Sequence, residues 1–133
     1  METEILRANA AFYRAFTHGD YAAMADLWAH HAPVACFHPA SPALHGRQAV
    51  LASWREILRT PPSFEMRCDR PVVQVLGETA VVTCYEGNGS HPAHLGATNV
   101  FVLEEGSWRM VHHHAGPLAR PISNPPPAHS PLN

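Results

Sequence analysis

Apolar residues at Ile5, Ala8, Phe12, Ala15 and Phe16 recur at helical spacing, and the His18-Gly19-Asp20 run behind them stops that helix, with Gly19 suited to a left-handed C-terminal cap. Asp20 then caps a second predicted helix that runs to about His31 and is striped by Met24, Leu27 and Trp28. Pro33 closes it, and Val34 to His38 reads as a short strand ended by Pro39. A turn-rich segment from Pro39 to Pro42 leads to Gly46. Beyond it Val50, Leu51, Trp54, Ile57 and Leu58 mark the buried side of a third helix, about Arg47 to Leu58, ended by Pro61-Pro62. From there the pattern changes to alternation and predicts four strands: Phe64–Leu76, Thr79–Glu86, about His94–Leu103, and Trp108–Ala115. Pro71 inside the first of these predicts a bulge or a sheet edge. Three helices followed by an antiparallel meander make an α+β layout, a curved sheet wrapped on a helical layer, whose open end forms a small-molecule pocket.

Composition narrows the class. At 133 residues, 46% hydrophobic and 15% charged, the chain is long enough for one self-sufficient core and too apolar for a disordered chain. We expect one domain over residues 1–117 and a proline-rich extended tail over residues 118–133. There is no lysine, and eleven histidines stand beside nine arginines. Formal charge is −2 with histidine neutral and +9 with every histidine protonated. A cationic surface that depends on pH argues against a constitutive nucleic-acid binder. No apolar stretch reaches membrane-spanning length, and the N-terminal pattern is an acid-bearing amphipathic helix rather than a signal peptide, so a cytoplasmic location without membrane contact is expected. Cys36, Cys68 and Cys84 are odd in number, lack a CxxC pair and fall in apolar runs, as small buried thiols do.

The histidines divide by position. Adjacent strand residues alternate faces, so His112, His113 and His114 cannot all meet one ligand. His112 and His114 share a face with Trp108 and Met110, and that apolarity turns these two toward the interior. His38 stands at a strand end before Pro39, an element boundary of the kind that carries function. His30-His31 reads as a helix end, His45 as part of a turn, and His91 and His94 as a hairpin connection. A metal site would need a third ligand beside His112 and His114, such as His38 or Glu86, and no HExxH or Cys/His zinc pattern exists, so neither a metal nor a cofactor is expected. Arg47 and Arg55 read as solvated or surface-paired, and Trp28 and Trp54 as core.

Taken together, Met24-Ala25-Asp26-Leu27-Trp28-Ala29, Phe37-His38-Pro39, His45-Gly46-Arg47, Trp54, Thr98-Asn99-Val100-Phe101-Val102, Gly106-Ser107-Trp108 and Val111-His112-His113-His114 resemble the NTF2-like superfamily, in particular its SnoaL-like and ketosteroid-isomerase-like branch. The last segment is also similar to the end of the association domain of calcium/calmodulin-dependent kinase. The resemblance implies a cystatin-like cone and a dimer built on the outer sheet face. In the isomerase an aspartate before a proline moves the proton, and His38 occupies the matching place here; imidazole titrates in a suitable range. The isomerase's protonated oxyanion-hole aspartate matches Asn99, whose amide donates without any pKa adjustment. The family tyrosine falls on Phe12, with Tyr13 one position, or about 100°, around the helix. The same alignment turns Val111 and His113 inward, against the apolarity argument for His112 and His114, and the sequence leaves both parities standing.

The resulting expectation is a cofactor-independent enzyme that performs proton-transfer chemistry on a small apolar carbonyl compound. His38 and Asn99 would be catalytic, and Tyr13, Trp28, Trp54, Phe101, His112 and His114 would bind substrate. The alternative is a noncatalytic ligand-binding or oligomerising domain.

Overall fold

A computed structural model describes residues 1–122. Three helices, α1 (Glu2–His18), α2 (Tyr21–Leu27) and α3 (Arg47–Leu58), pack on a six-stranded sheet formed by β1 (Ala35–Phe37), β2 (Leu44–His45), β3 (Met66–Leu76), β4 (Thr79–Asn88), β5 (Ala93–Glu104) and β6 (Ser107–Ile122). The strand order is β2-β1-β6-β5-β4-β3, with β3 to β6 an antiparallel meander and β1 running parallel to β6. The α+β layout read from the sequence is the one observed.

Gly19 ends α1 at φ 63°, where its N–H reaches the Phe16 carbonyl and an added Cβ would stand 3.0 Å from the Leu58 carbonyl oxygen. The Asp20 side chain accepts the Ala23 N–H at 3.0 Å and so starts α2. That helix stops at Leu27, a turn earlier than predicted. Trp28 turns extended and bridges to Met110, and Ala29 N–H donates to the Met110 carbonyl at 2.8 Å. The next three amides, of His30, His31 and Ala32, donate to the Glu104 carboxylate at 2.8, 3.0 and 3.0 Å. Strand and carboxylate thus offer these amides partners that a continued helix would have had to supply. Arg47 is not the solvated residue expected, because its guanidinium donates to the carbonyls of Ala25, Trp28 and Ala29 at the end of α2. Arg55 stacks over the Tyr21 ring at 4.0 Å.

His45, expected in a turn, lies in β2, opposite Ala35. β3 is an edge strand whose register shifts between Asp69 and Val72, so Pro71 marks both features its position predicts. β6 continues to Ile122 rather than stopping at Ala115, pairing Pro117 with Leu95 and Ile122 with Ala93. Past His114, β1 no longer flanks β6, and prolines are tolerated on a strand with an open side. Residues 118–122 of the expected tail are therefore sheet; residues 123–133 lie outside the described residues.

One irregularity decides the interior. Leu103, Val102 and Phe101 face Trp108, Arg109 and Met110 in turn, but Val100 faces His112, which leaves Val111 as an extra residue on β6. Before this bulge Trp108 and Met110 are buried; after it His113 and Ala115 are buried, and His112 and His114 turn to the outer face. The inward orientation expected for His112 and His114 is thus overturned. Apolarity correctly oriented the first half of the strand, and the family alignment correctly oriented His113.

A buried polar chain at the candidate functional site

α1 carries Asn9 and Tyr13 one turn apart on its buried face. Opposite them the inward positions of the sheet supply Cys68 from β3, Cys84 and Glu86 from β4, Asn99 from β5 and His113 from β6. Among the described residues Asn9, Glu86, Asn99 and His113 are the buried polar or charged side chains, each at most 2% exposed, so their hydrogen bonds must come from one another and from the neighbouring Tyr13 and Cys68.

They do. His113 Nδ1 lies 2.6 Å from Asn99 Oδ1. Burial, helped by the neighbouring His38, holds the His113 ring well below the usual imidazole range, at about 3. The ring is therefore neutral, and the carbonyl acceptor fixes its one proton on Nδ1. The Asn99 amide donates to Asn9 Oδ1 at 2.8 Å and to Tyr13 Oη at 3.1 Å. Tyr13 in turn donates to Glu86 Oε2 at 2.7 Å, and Asn9 donates to Cys68 Sγ at 3.3 Å. Burial pushes the Glu86 carboxyl up, against the smaller opposing effect of the Tyr13 hydroxyl. Glu86 Oε2 and His113 Nε2 stand 3.9 Å apart. Burial shifts the two groups in opposite directions, each toward its neutral form, and so works against their forming an ion pair. Burial first, and then Glu86, keeps the Tyr13 hydroxyl protonated.

His38 approaches the same region from the end of β1. It is half-buried, its ring meets the Trp54 indole edge-on at 5.0 Å, and Nε2 lies 2.9 Å from Ser53 Oγ on α3. Burial lowers its pKa, so the ring is neutral at pH 7. Trp54 also packs 6.1 Å from the His113 ring and 5.2 Å from Phe12, which stacks on His113 at 4.7 Å. One indole therefore borders both imidazoles.

The structure thus gathers His38, Tyr13, Trp54 and Asn99. Tyr13 reaches the interior despite its one-residue offset, because both it and Phe12 are buried. Asn99, expected as a free oxyanion donor, has both amide hydrogens engaged by Asn9 and Tyr13; it is the hub that fixes His113 and Tyr13. Phe101 is fully buried two positions along the same face of β5, and Trp28 is fully buried where the chain bridges to Met110. His112 and His114 stand apart on the outer face, their rings 6.3 Å from each other and His114 stacked on Phe37 at 4.7 Å. No three His, Cys, Asp or Glu side chains among the described residues are arranged to hold a metal ion.

Sequence reasoning did not name Asn9 or Ser53, weighed Glu86 only as a possible third metal ligand, and turned His113 inward only through the family alignment. Two carried a readable signal: Asn9 sits one turn from both Ile5 and Tyr13, and Glu86 continues the inward series Ala80, Val82, Cys84. The inward face of His113 came from the family alignment alone, since alternation along the strand does not reveal the bulge.

Comparison with known proteins agrees with this architecture. A family model described as a SnoaL-like domain matches residues 5–120. A candidate dehydratase of the NTF2-like family from Streptomyces avermitilis superposes with a TM-score of 0.79 at 33% identity, covering 89% of this chain and 96% of that one. A candidate calcium/calmodulin-dependent protein kinase type II association domain from Thiobacillus denitrificans gives 0.74 at 34% identity, covering 84% and 92%. Among curated proteins, the F-box protein SKIP8 of Arabidopsis thaliana is 28% identical over 111 residues, 84% of this chain; the chain spans about half of that relative's length, 48%. The fold is the cystatin-like one, and with most of its length matched by the family model, the chain belongs to the SnoaL-like domain family of NTF2-like proteins.

Proposed function

We propose that the chain is a cofactor-independent enzyme that moves a proton on a small, apolar, carbonyl-bearing molecule held between the helices and the sheet, in isomerase, cyclase or lyase-type chemistry. The observation that carries this reading is the polar chain Asn9–Asn99–Tyr13–Glu86 with His113, assembled in an otherwise apolar interior and bordered, across Trp54, by a neutral half-buried His38. A core with no chemical task is more stable with apolar residues at such positions, because each buried polar group costs desolvation. His38 is the acid or base, since it is both neutral at pH 7 and partly accessible. Asn99 holds Tyr13 and His113 in place, and Trp54 and Phe101 supply apolar wall. The candidate dehydratase among the similar structures favours a lyase-type reaction, in which proton removal accompanies loss of water.

The test is solvent-deuterium incorporation into a panel of apolar ketones and β-hydroxyketones, read by mass spectrometry. His38→Ala should slow the responsive compound by about 10²-fold or more. Unchanged turnover in that variant would remove His38 from the chemistry. Wild-type activity should rise with pH through an apparent pKa below 6.5, because burial lowers that of His38, and this limb should be absent from any residual activity of the variant.

A second reading, a noncatalytic ligand-binding or oligomerising domain, draws on the candidate kinase association domain. We further infer a homodimer through the outer sheet face, where Val81, Val100 and His112 form one cross-strand row and Val72 is 57% exposed. A cytoplasmic setting suits three cysteines that are all free thiols.

A further inference from the structure

His38 touches one hydroxyl, and the proton count of that hydroxyl determines which nitrogen of the ring is available. Ser53 Oγ lies 2.6 Å from the Val50 carbonyl oxygen, one turn back on α3, and 2.9 Å from His38 Nε2. A carbonyl oxygen can only accept, and at 2.6 Å the contact is repulsive unless the serine proton lies in it. The hydroxyl has no second proton. Its oxygen can therefore meet His38 only as an acceptor, which requires a proton on Nε2. Cys36 does not compete: its sulfur stands 3.8 Å from Nε2 and 4.0 Å from Nδ1, and a thiol is a weak partner at contact distance. The Trp54 ring stands nearly perpendicular to His38, at 77°, and its indole carries a donor N–H and no nitrogen or oxygen acceptor.

We propose that Ser53 is a positioning residue that locks His38 in its Nε2–H tautomer, so that Nδ1 is the nitrogen through which His38 takes up or releases a proton. This rests on the reading of His38 as the acid–base group. It also assigns Ser53 a role opposite to the one its contact suggests. A serine 2.9 Å from an imidazole resembles a nucleophile with its base, but a serine whose proton is committed to a backbone carbonyl is not activated by that base. The i to i−3 bond that commits the proton is a property of the helix, so α3 itself sets the tautomer.

The tautomer can be read without knowing the substrate. In long-range proton–nitrogen correlation spectra of the ¹⁵N-labelled chain at pH 8, with His38 assigned by its loss in His38→Gln, Nε2 should give a pyrrole-type signal and Nδ1 a pyridine-type one. Ser53→Ala should lower the ratio of the two tautomers by about tenfold, the worth of one hydrogen bond, and Ser53→Thr should restore it. His113, fixed by Asn99, should keep its Nδ1–H pattern in both variants and so report that the fold is intact. A wild-type Nδ1–H pattern at His38, or a pattern that Ser53→Ala leaves unchanged while His113 is undisturbed, overturns the assignment of Ser53. If the spectra agree but His38→Ala turns substrate over at the wild-type rate, the acid–base reading of His38 fails and the lock by Ser53 stands.

Discussion

Glu86 shows how a single buried group can report on the whole interior. Its carboxyl is raised above the unfolded value near 4.5, so the protonated form is the one the fold favours. The stability this contributes is complete below pH 4.5 and is lost as pH rises from there through the folded pKa. Glu86→Gln keeps the shape, and its amide can still accept from Tyr13, but it cannot ionise. Urea denaturation should therefore find the variant gaining on wild type as pH rises above 4.5, and parallel pH profiles would show that the fold does not raise the Glu86 carboxyl. Asn99→Ala is the harsher change. It strands His113 Nδ1–H and Asn9 Oδ1, while Tyr13 Oη keeps its bond to Glu86, and each buried polar group left without a partner costs about 1–3 kcal/mol.

At the scale of elements, what could be read from the sequence was what local chemistry decides. The α3 limits, the Gly19 cap, the Asp20 start and the disturbance at Pro71 all depend on residues within a turn of the event, and all were readable. The end of α2 was not, because it depends on Met110 and Glu104, which are remote in sequence. Burial alone would push the Glu104 carboxyl up, but the amides of His30, Ala32 and His31 outweigh it and hold it at about 2. A depressed carboxylate contributes stability above its unfolded pKa and loses it as pH falls, here from about 4.5 toward 2. Glu104→Ala should cost about 1 kcal/mol at pH 7, the worth of a helix-cap hydrogen bond rather than of a charge pair, and much less at pH 2. Equal losses at both pH values would show that packing, rather than the carboxylate, holds the segment. The parity of His112, His113 and His114 was illegible for a related reason: a bulge is a relation between two strands, and alternation within one strand does not reveal it.

For the molecule as a whole, the order of elements alone was enough to recover the cone, since helices followed by a meander have few ways to bury their apolar faces. Its polar lining was only half legible, because patterning marks a position as inward without saying which polar side chains will meet there. The outer face remains apolar at Val72, Val81 and Val100, with His112 and His114 at its margin. Light scattering coupled to size-exclusion chromatography should give twice the chain mass of 14.6 kDa for wild type and the single mass for Val100→Arg. A wild-type monomer at high concentration would reassign that face.

The extra residue at Val111 also governs how the sheet resists sliding. A regular strand can slip by two residues against its neighbour and present the same alternation, an error that costs little locally and invites exchange between molecules. β6 cannot, because its two halves are out of phase: any slip that keeps Trp108 and Met110 inward must carry the kink past Val100, where nothing on β5 matches it. The odd residue at Val111 acts as a keyway. It permits one alignment of the longest strand and thereby fixes how far His113 stands from every group it touches.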